Sequence, residues 1–365
     1  MEKRRDKRNL TVEFMRFVFC IIIILYHSNN RLDIAMSAPF SFFKNGKIGV
    51  EFFFIVSGWL MAESAKKYRG QDLVKATRAF LSGKLLSVIF YHLFIFAVCF
   101  TATAVLTLGE EAEVYIGRLI STLPNLFLLQ RTGLKTVEVM TSEWYIAAML
   151  WMMLLLFPLI IKYGERFTKL LCPLITILLI GYMIHVNGKL GGTGRFLFSH
   201  RIPKVYVRAF AEMCAGVFCC HISEYISRLR LKKSERIILS GIEAICYLLP
   251  VLYSVSLWEE TYEAYCFYSF CIAVTLSFSN ATYLKKLFDT RISALLGKAS
   301  LPLYMAQSVG FTLFKYSNTL HGLRIRYALL FFITTTVIFA AVSFFVNKKA
   351  LRYFTKRKYG GIIVF

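Results

Sequence analysis

Apolar stretches long enough to cross a lipid bilayer recur along the whole chain. A transmembrane helix needs about 20 mainly apolar residues, and runs of about 17–23 residues are found here. Hydrophobic residues make up 57% of the 365 residues and charged residues only 18%, whereas a soluble domain of this size carries more charge. We therefore predict an all-α, polytopic bundle of transmembrane helices. A membrane β-barrel would show short alternating segments instead.

About ten spans are predicted. They lie near residues 10–28, 48–65, 85–108, 144–162, 170–186, 206–222, 237–256, 262–279, 300–317 and 327–346. The first stretch imitates a signal peptide, but Arg16 interrupts its apolar run and no small-residue cleavage site follows closely, so we expect it to remain as the first span. The whole chain, 1–365, is predicted to form one integral membrane domain with no fused soluble domain.

The charge distribution predicts how the spans are oriented. The net charge is +23, and the basic residues concentrate in loops and at the two ends. The basic segments are "MEKRRDKR", "KKYRGQDLVKATRAFLSGK", "KYGERFTK", "SRLRLKKSER", "YLKKLFDTR" and "NKKALRYFTKRK". Acidic "GEEAEVY" and "LWEETYE" belong to loops of the other side. By the positive-inside rule both termini are predicted to be cytoplasmic. Nucleic-acid binding is disfavoured because no basic cluster outside the spans is interleaved with aromatics.

Two further segments constrain the interpretation. The longest outer segment, 109–143, contains "VYIGRLISTLPNLFLLQ", which is apolar but broken by Pro124. This stretch is either a re-entrant or interfacial helix over a cavity or an ordinary amphipathic loop helix. The nine cysteines lie almost entirely inside apolar runs and none has zinc-type spacing, so we expect them to be core residues. No metal site is predicted.

The first predicted span carries polar residues on one face. Arg16 and His27 are eleven residues apart, which is three helical turns plus about 20°, and Glu13 and Cys20 fall on nearly the same face. Exposing an arginine to lipid at the membrane centre costs at least about 2.5–3.5 kcal/mol. We therefore expect this polar stripe (Glu13, Arg16, Cys20 and His27) to face the protein interior. Alternatively, Arg16 reaches the cytoplasmic headgroups and pairs with Glu13, and His27 merely ends the helix.

The second predicted span carries a carboxylate. In "GKIGVEFFFIVSGWLMA", residues 46–62, Glu51 lies in an aromatic apolar run and shares a face with Gly58. A carboxylate inside the membrane is costly unless it is paired or hydrated. Either Glu51 has a functional partner, or it lies near the outer end of the helix and reaches water.

These two segments together resemble the membrane acyltransferase-3 family, whose members O-acylate cell-surface sugars. The family pattern has an Arg, ten residues, a His, and then a G-V-D/E-x-F-F-x-x-S-G-F/W stretch. The matching residues are Arg16, His27, Gly49, Val50, Glu51, Phe53, Phe54, Ser57, Gly58 and Trp59. Looser similarity is found in "SEWYIAAMLWMMLLLFP" (142–158), "YVRAFAEMCAGVF" (206–218) and "LLGKASLPLYMAQS" (295–308).

The chain departs from the family pattern in two places. After the second span the family has R-x-x-R followed by Pro and Tyr, whereas "GKLLSVIFY" provides Lys84, Ser87 and Phe90 before Tyr91. One basic residue is missing, which weakens bidentate binding of a phosphate. In the late segment Gln307 replaces the family's His, so a second catalytic His at this position is excluded.

The resemblance implies transfer of an acyl group, usually acetyl from acetyl-coenzyme A, to a hydroxyl of a surface polysaccharide or its lipid-linked precursor, in a multi-pass protein of the plasma membrane. Acetyl-coenzyme A is then a co-substrate. In this interpretation Arg16 anchors coenzyme A, while Lys84 and Arg78 add positive charge at the cytoplasmic mouth. His27 takes the proton of the attacking hydroxyl or carries the acyl group itself. Glu51 orients His27.

Further substrate contacts are predicted for Ser57, as an oxyanion donor, and for Glu143 and Trp144, as sugar-binding residues at the outer surface. Alternatively, Ser57 bonds a carbonyl of its own helix and Trp144 is an interfacial anchor. Arg208 and Glu212, four residues apart, are predicted to form a structural ion pair. The remaining histidines have no partner at a recognisable spacing; they are His92, His185, His200, His221 and His321.

Two other functional classes stay open. A transporter or flippase for lipid-linked sugars or small solutes also places Arg, Glu and His inside a bundle, although transporters often contain inverted repeats and paired interrupted helices, and neither is clear here. A sensor or partner subunit that keeps the scaffold without the chemistry is the other possibility, because of the departures at Ser87 and Gln307.

Overall fold

The computed structural model describes residues 8–31, 43–134, 136, 139–140, 143–192, 196–198, 202–316 and 325–359, and these are almost entirely helical. The first six helices are α1 (Leu10–Arg31), α2 (Gly49–Ala65), α3 (Leu73–Leu106), α4 (Ala112–Leu126), α5 (Trp144–Glu165) and α6 (Cys172–Asn187). The next six are α7 (Lys204–Ser227), α8 (Lys233–Val255), α9 (Glu263–Ser279), α10 (Leu284–Phe288), α11 (Arg291–Tyr316) and α12 (Ile325–Tyr359). Short 3₁₀ segments cover Gly46–Ile48, Lys66–Tyr68 and Glu260–Tyr262, and a π-helical turn covers Arg166–Leu171. Strands β1 (Phe196–Leu197) and β2 (Ile202–Pro203) form one antiparallel pair.

Seven helical segments of the described chain are long and apolar enough to cross a membrane. They are Leu10–Asn29, Gly46–Tyr68, Leu73–Leu106, Trp144–Asn187, Lys204–Ser227, Lys233–Val255 and Tyr327–Tyr353. The predicted polytopic helical fold is therefore confirmed, whereas the predicted number of ten spans is not. The 44-residue segment Trp144–Asn187 contains two predicted spans, because its backbone leaves the helical conformation at Gly164 (φ 54°, ψ −129°).

The two remaining predicted spans, 262–279 and 300–317, are helical over their described residues but do not belong to the seven. The first corresponds to α9, which has only 17 residues, slightly short of the usual membrane-spanning length. The second lies in α11, whose apolar sequence is interrupted by Lys298, Gln307 and several serines.

The long helices present large apolar side chains on the outside, and some of their buried side chains are charged. Leu154, Ile177, Ile245 and Ile333 are 45–63% exposed, as expected for side chains that face lipid. Charged side chains are instead found in the interior, as described below for Glu51. Apolar side chains on the outside, with ionisable side chains kept in the interior, are what a lipid environment requires.

Helix α4 occupies the middle of the predicted outer segment 109–143. It contains Pro124 in its last turn. Val114 and Ile116 are about half exposed, whereas Asn125 is fully buried. An outward apolar face suits a helix in contact with the membrane interface, and both predicted alternatives for this segment are compatible with it.

The contacts divide the chain into two compact units. The first contains residues 1–26, 41–76 and 152–300, and the second contains residues 27–40, 77–151 and 301–365. Each unit is assembled from segments that are distant in the sequence, so neither is a contiguous domain. The predicted single domain over 1–365 stays a prediction.

In the first unit, α7 packs against α2, α6 and α9. Its contact with α2 depends on two glycines. A Cβ on Gly58 would meet the Met213 carbonyl oxygen, and a Cβ on Gly216 would meet the Ile55 carbonyl oxygen. The two backbones therefore approach as closely as small residues permit. This close contact positions the buried charges of α2 and α7.

The second unit is packed largely through aromatic rings. Phe311 of α11 stacks on Phe332 of α12 with ring centroids 4.7 Å apart. Gly310 faces the same Phe332 ring, which leaves no room for a Cβ. Tyr145 at the start of α5 meets Tyr304 of α11 edge to face at 6.1 Å. These contacts fix the turn of α11 that carries Gln307.

Candidate active site

In the first unit, Glu13, Arg16 and Cys20 of the polar stripe of α1 face protein. Glu13 pairs with Arg16 at 3.0 Å, and the Arg16 side chain is 28% exposed. Cys20 Sγ donates to the Ser300 carbonyl oxygen at 3.1 Å. Gly297 lies directly against the Glu13 carboxylate. Glu13 and Cys20 of α1 and the late "LGKAS" segment, which are far apart in the sequence, thus meet in the fold. The Glu13–Arg16 pair is the one expected where Arg16 reaches the cytoplasmic headgroups. The role of Arg16 in anchoring coenzyme A stays a prediction.

In the second unit, His27 is bonded to the residue that replaces the family's late histidine. His27 Nδ1 lies 3.1 Å from Gln307 Oε1, and Gln307 is fully buried. Gln307 Nε2 donates to the Tyr304 carbonyl oxygen at 2.8 Å. Since this bond assigns the amide orientation, Oε1 is the acceptor that faces His27. The neutral imidazole therefore carries its proton on Nδ1 and its lone pair on Nε2.

Glu51 is fully buried and ion-paired. Its Oε1 lies 2.5 Å from Arg208 Nη2, and Arg208 Nε donates to Glu212 Oε1 at 2.8 Å. All three side chains are at most 3% exposed. The predicted Arg208–Glu212 pair is confirmed, and the alternative in which Glu51 reaches water is wrong. A buried carboxylate requires such a cation, but no pattern in the sequence indicates that the cation comes from α7.

The residues after Glu51 on α2 are held by the same helix crossing. Trp59 Nε1 donates to Ser223 Oγ at 3.0 Å, and the Trp59 ring stacks on Phe278 at 3.6 Å. Ser57 is half-buried beside Gly58. The predicted roles of Glu51 in orienting His27 and of Ser57 as an oxyanion donor stay predictions.

The two predicted cytoplasmic cations lie on α3. Lys84 is half-buried, with its ammonium 5.9 Å from the centre of the Phe80 ring. Arg78 is exposed. Ser87, at the place of the family's second basic residue, is exposed and donates to the Lys84 carbonyl oxygen at 2.6 Å. These positions suit solvent-facing charge, and the predicted contact of Lys84 and Arg78 with coenzyme A stays a prediction.

Glu143 and Trp144 are buried rather than displayed at a surface. Glu143 Oε2 lies 2.7 Å from His92 Nδ1, and both side chains are fully buried. Trp144 is 8% exposed. His92 therefore does have a partner, which sequence spacing alone could not identify because the two residues are 51 positions apart. The predicted contact of Glu143 and Trp144 with sugar stays a prediction. Because both side chains are buried, a sugar would have to enter the protein to reach them.

A second group of charges in the first unit joins loops to α9. Lys47 lies 2.5 Å from Glu260 and 3.0 Å from Glu263, and Lys189 also contacts Glu260. Burial tends to raise the pKa of Glu260, but the hydrogen bonds from Lys189 and Lys47 outweigh it and lower that pKa to about 2. Glu263 accepts backbone N–H bonds from Leu190 and Gly191.

Among the described residues, one cluster has the ligand types of a metal site, namely Glu63, Cys220 and Glu224. The Lys66 ammonium contacts both carboxylates, so the chain itself supplies the cation there. Beside it lies a cavity of about 320 Å³ whose wall includes Lys66 and His221. Nothing in this arrangement requires a metal ion.

A comparison with known protein families identifies the family of this chain. Residues 9–345 match the acyltransferase-3 family, described as an acyltransferase domain. No curated protein and no solved structure gave a match. The matched region contains Arg16 and His27 of the polar stripe, as well as Glu51 and Gln307. The chain therefore belongs to the acyltransferase-3 family and is a membrane acyltransferase.

Proposed function

We propose that the protein moves an acyl group, usually acetyl, from acyl-coenzyme A to a hydroxyl of a cell-surface glycan or of its lipid-linked precursor, at the plasma membrane. Family membership supports acyl transfer in general. The choice of donor, acceptor and membrane rests on the resemblance of Arg16, His27 and the Glu51 segment to family members that O-acylate surface sugars.

The observation that carries the mechanism is the His27–Gln307 hydrogen bond. With Nδ1 protonated, His27 Nε2 can accept the proton of the attacking hydroxyl. The hydroxyl oxygen then bonds to the thioester carbonyl carbon, the carbon–sulfur bond breaks, and the departing thiolate takes the proton back from Nε2. The products are an ester and free coenzyme A, and His27 returns to its starting state.

Donor binding is proposed for Arg16, with Lys84 and Arg78 adding positive charge. The ion pair with Glu13 uses Arg16 Nη1, and a guanidinium has further N–H donors for a phosphate or an amide carbonyl of the pantetheine arm. Glu13 thus orients the guanidinium while using only some of its N–H donors. Acetyl-coenzyme A is a co-substrate in this scheme, not a bound cofactor.

The test is acyl transfer by the purified protein in lipid nanodiscs, with radiolabelled acetyl-coenzyme A and membrane glycans. We expect His27→Ala to lower the rate of transfer by about 10²–10⁴-fold and Arg16→Ala to raise the KM for acetyl-coenzyme A. His185→Ala, an exposed histidine on α6, is the matched control and should transfer normally. Wild-type transfer by His27→Ala would refute the mechanism.

The same assay separates the remaining alternatives. Radiolabel that stays on the protein after acid quenching, and is lost in His27→Ala, would show an acyl-histidine intermediate instead of general-base catalysis. Solute or lipid-linked sugar translocation without any acyl transfer would favour a transporter and overturn the proposed function.

A further inference from the structure

His92 and Glu143 form a buried pair that the proposed mechanism does not use. His92 Nδ1 lies 2.7 Å from Glu143 Oε2, His92 Nε2 lies 3.0 Å from the Leu126 carbonyl oxygen, and both side chains are fully buried. The single imidazole thus joins α3 to the end of α4 and to the residue that precedes α5.

The bonding pattern determines how many protons the pair holds. A carbonyl oxygen can only accept, so His92 Nε2 must carry a proton. One more proton then lies between Nδ1 and Glu143 Oε2, either on the imidazole or on the carboxyl group. In both cases the pair has no net charge, which is the condition for burying it at acceptable cost.

A short chain of contacts leads from this pair to His27 within the second unit. Glu143 lies two residues before Tyr145, whose ring contacts Tyr304 at 6.1 Å. The Tyr304 carbonyl oxygen accepts the bond from Gln307 Nε2, and Gln307 Oε1 faces His27 Nδ1. The start of α5 therefore supports the turn of α11 that orients the proposed base.

We propose that His92 is a positioning residue for acyl transfer, which acts through its bond to Glu143 by fixing the start of α5 against the Tyr304–Gln307 turn. A second tie has the same effect from the other side, because Thr312 Oγ of α11 donates to the Val139 carbonyl oxygen at 3.1 Å. The residues preceding α5 are thus held by α3 and by α11. This inference rests on the proposed function of His27.

Two substitutions separate the two bonds of the imidazole. An asparagine amide reaches approximately the place of Nδ1 and can keep the bond to Glu143, whereas a glutamine amide reaches approximately the place of Nε2 and can keep the bond to the Leu126 carbonyl. We expect His92→Gln to lower kcat by about 10–100-fold with little change in the KM for acetyl-coenzyme A, as is typical when a supporting residue of a site is lost. We expect His92→Asn to retain most of the wild-type kcat.

A second measurement reads position without activity. In a variant whose other three tryptophans are phenylalanine, acrylamide quenching reports the exposure of Trp144, next to Glu143. We expect His92→Gln to increase quenching and His92→Asn to leave it near the wild-type value. Equal kinetics and equal quenching of the two variants would overturn the inference, as would a loss of kcat that only follows the unfolding midpoint. If the wild-type protein transferred no acyl group, the proposed function would fail, while the quenching comparison would still decide whether the Glu143 bond fixes the start of α5.

Discussion

Gln307 is a single residue whose meaning changes between sequence and structure. In the sequence it is a departure, because the family's His is missing there. In the structure its amide is fixed by the Tyr304 carbonyl and presents an oxygen to His27. It thereby sets the tautomer of the imidazole, a task that carboxylates perform in catalytic triads. The predicted role of Glu51 in orienting His27 stays a prediction beside it.

We therefore expect Gln307→Leu to lower kcat by on the order of 10–100-fold with the KM for acetyl-coenzyme A nearly unchanged, because His27 loses its fixed tautomer. Gln307→Glu keeps an acceptor oxygen and should retain more activity than Gln307→Leu. Steady-state kinetics of the two variants check this. If the leucine variant were the more active, tautomer control by Gln307 would be refuted.

Glu260 provides a pH-dependent contribution to stability. Its pKa, about 2 in the folded protein, lies below the ordinary value of about 4.3. The contribution is therefore present above the ordinary pKa and is lost as pH falls toward 2. We expect Glu260→Gln to lower the unfolding midpoint at pH 7, and we expect this difference to shrink below about pH 4.3 and to disappear below about pH 2. Glu259→Gln removes a neighbouring carboxylate and is the control; a constant difference at all pH values would contradict the prediction.

At the scale of helices, the sequence predicted contacts within an element better than contacts between elements. The i,i+4 pair Arg208–Glu212 and the shared face of Glu13, Arg16 and Cys20 follow from helical periodicity alone. The partners of Glu51 and His92 do not, because they come from other helices and no local pattern encodes such a pairing. A close approach of two helices is marked in the sequence where it requires a residue without a side chain, as at Gly58.

The crossing of α2 and α7 has no room for a side chain at Gly58. A Cβ at Gly58 would overlap the Met213 backbone, whereas a Cβ at Gly181 of α6 would meet nothing within 4 Å. We expect Gly58→Ala to destabilise the protein by about 1–3 kcal/mol through overpacking, and Gly181→Ala to be neutral or slightly stabilising. Thermal unfolding in detergent measures both. Equal midpoints would mean that the two helices can separate at little cost.

For the whole molecule, the number of crossings determines on which side the chain ends. Seven segments qualify by length and composition; taking Trp144–Asn187 as two crossings and adding α9 and α11 gives ten. An even number places both termini on the side of the basic loops, as the positive-inside rule demands. The 17-residue α9 is the weakest member. If it does not cross, every later loop and the carboxyl end change sides.

Single cysteines in a cysteine-free background, labelled with a membrane-impermeant maleimide in intact cells, decide between these topologies. We expect Trp258→Cys, between α8 and α9, to be labelled, and Lys232→Cys, before α8, to be protected. The informative site is Asp289→Cys, between α10 and α11, which is protected if α9 crosses and labelled if it does not. Labelling there would place the start of α11 outside. Because Gly297 of α11 lies against Glu13 in the first turn of α1, such labelling would contradict either this contact or the cytoplasmic position of the amino terminus.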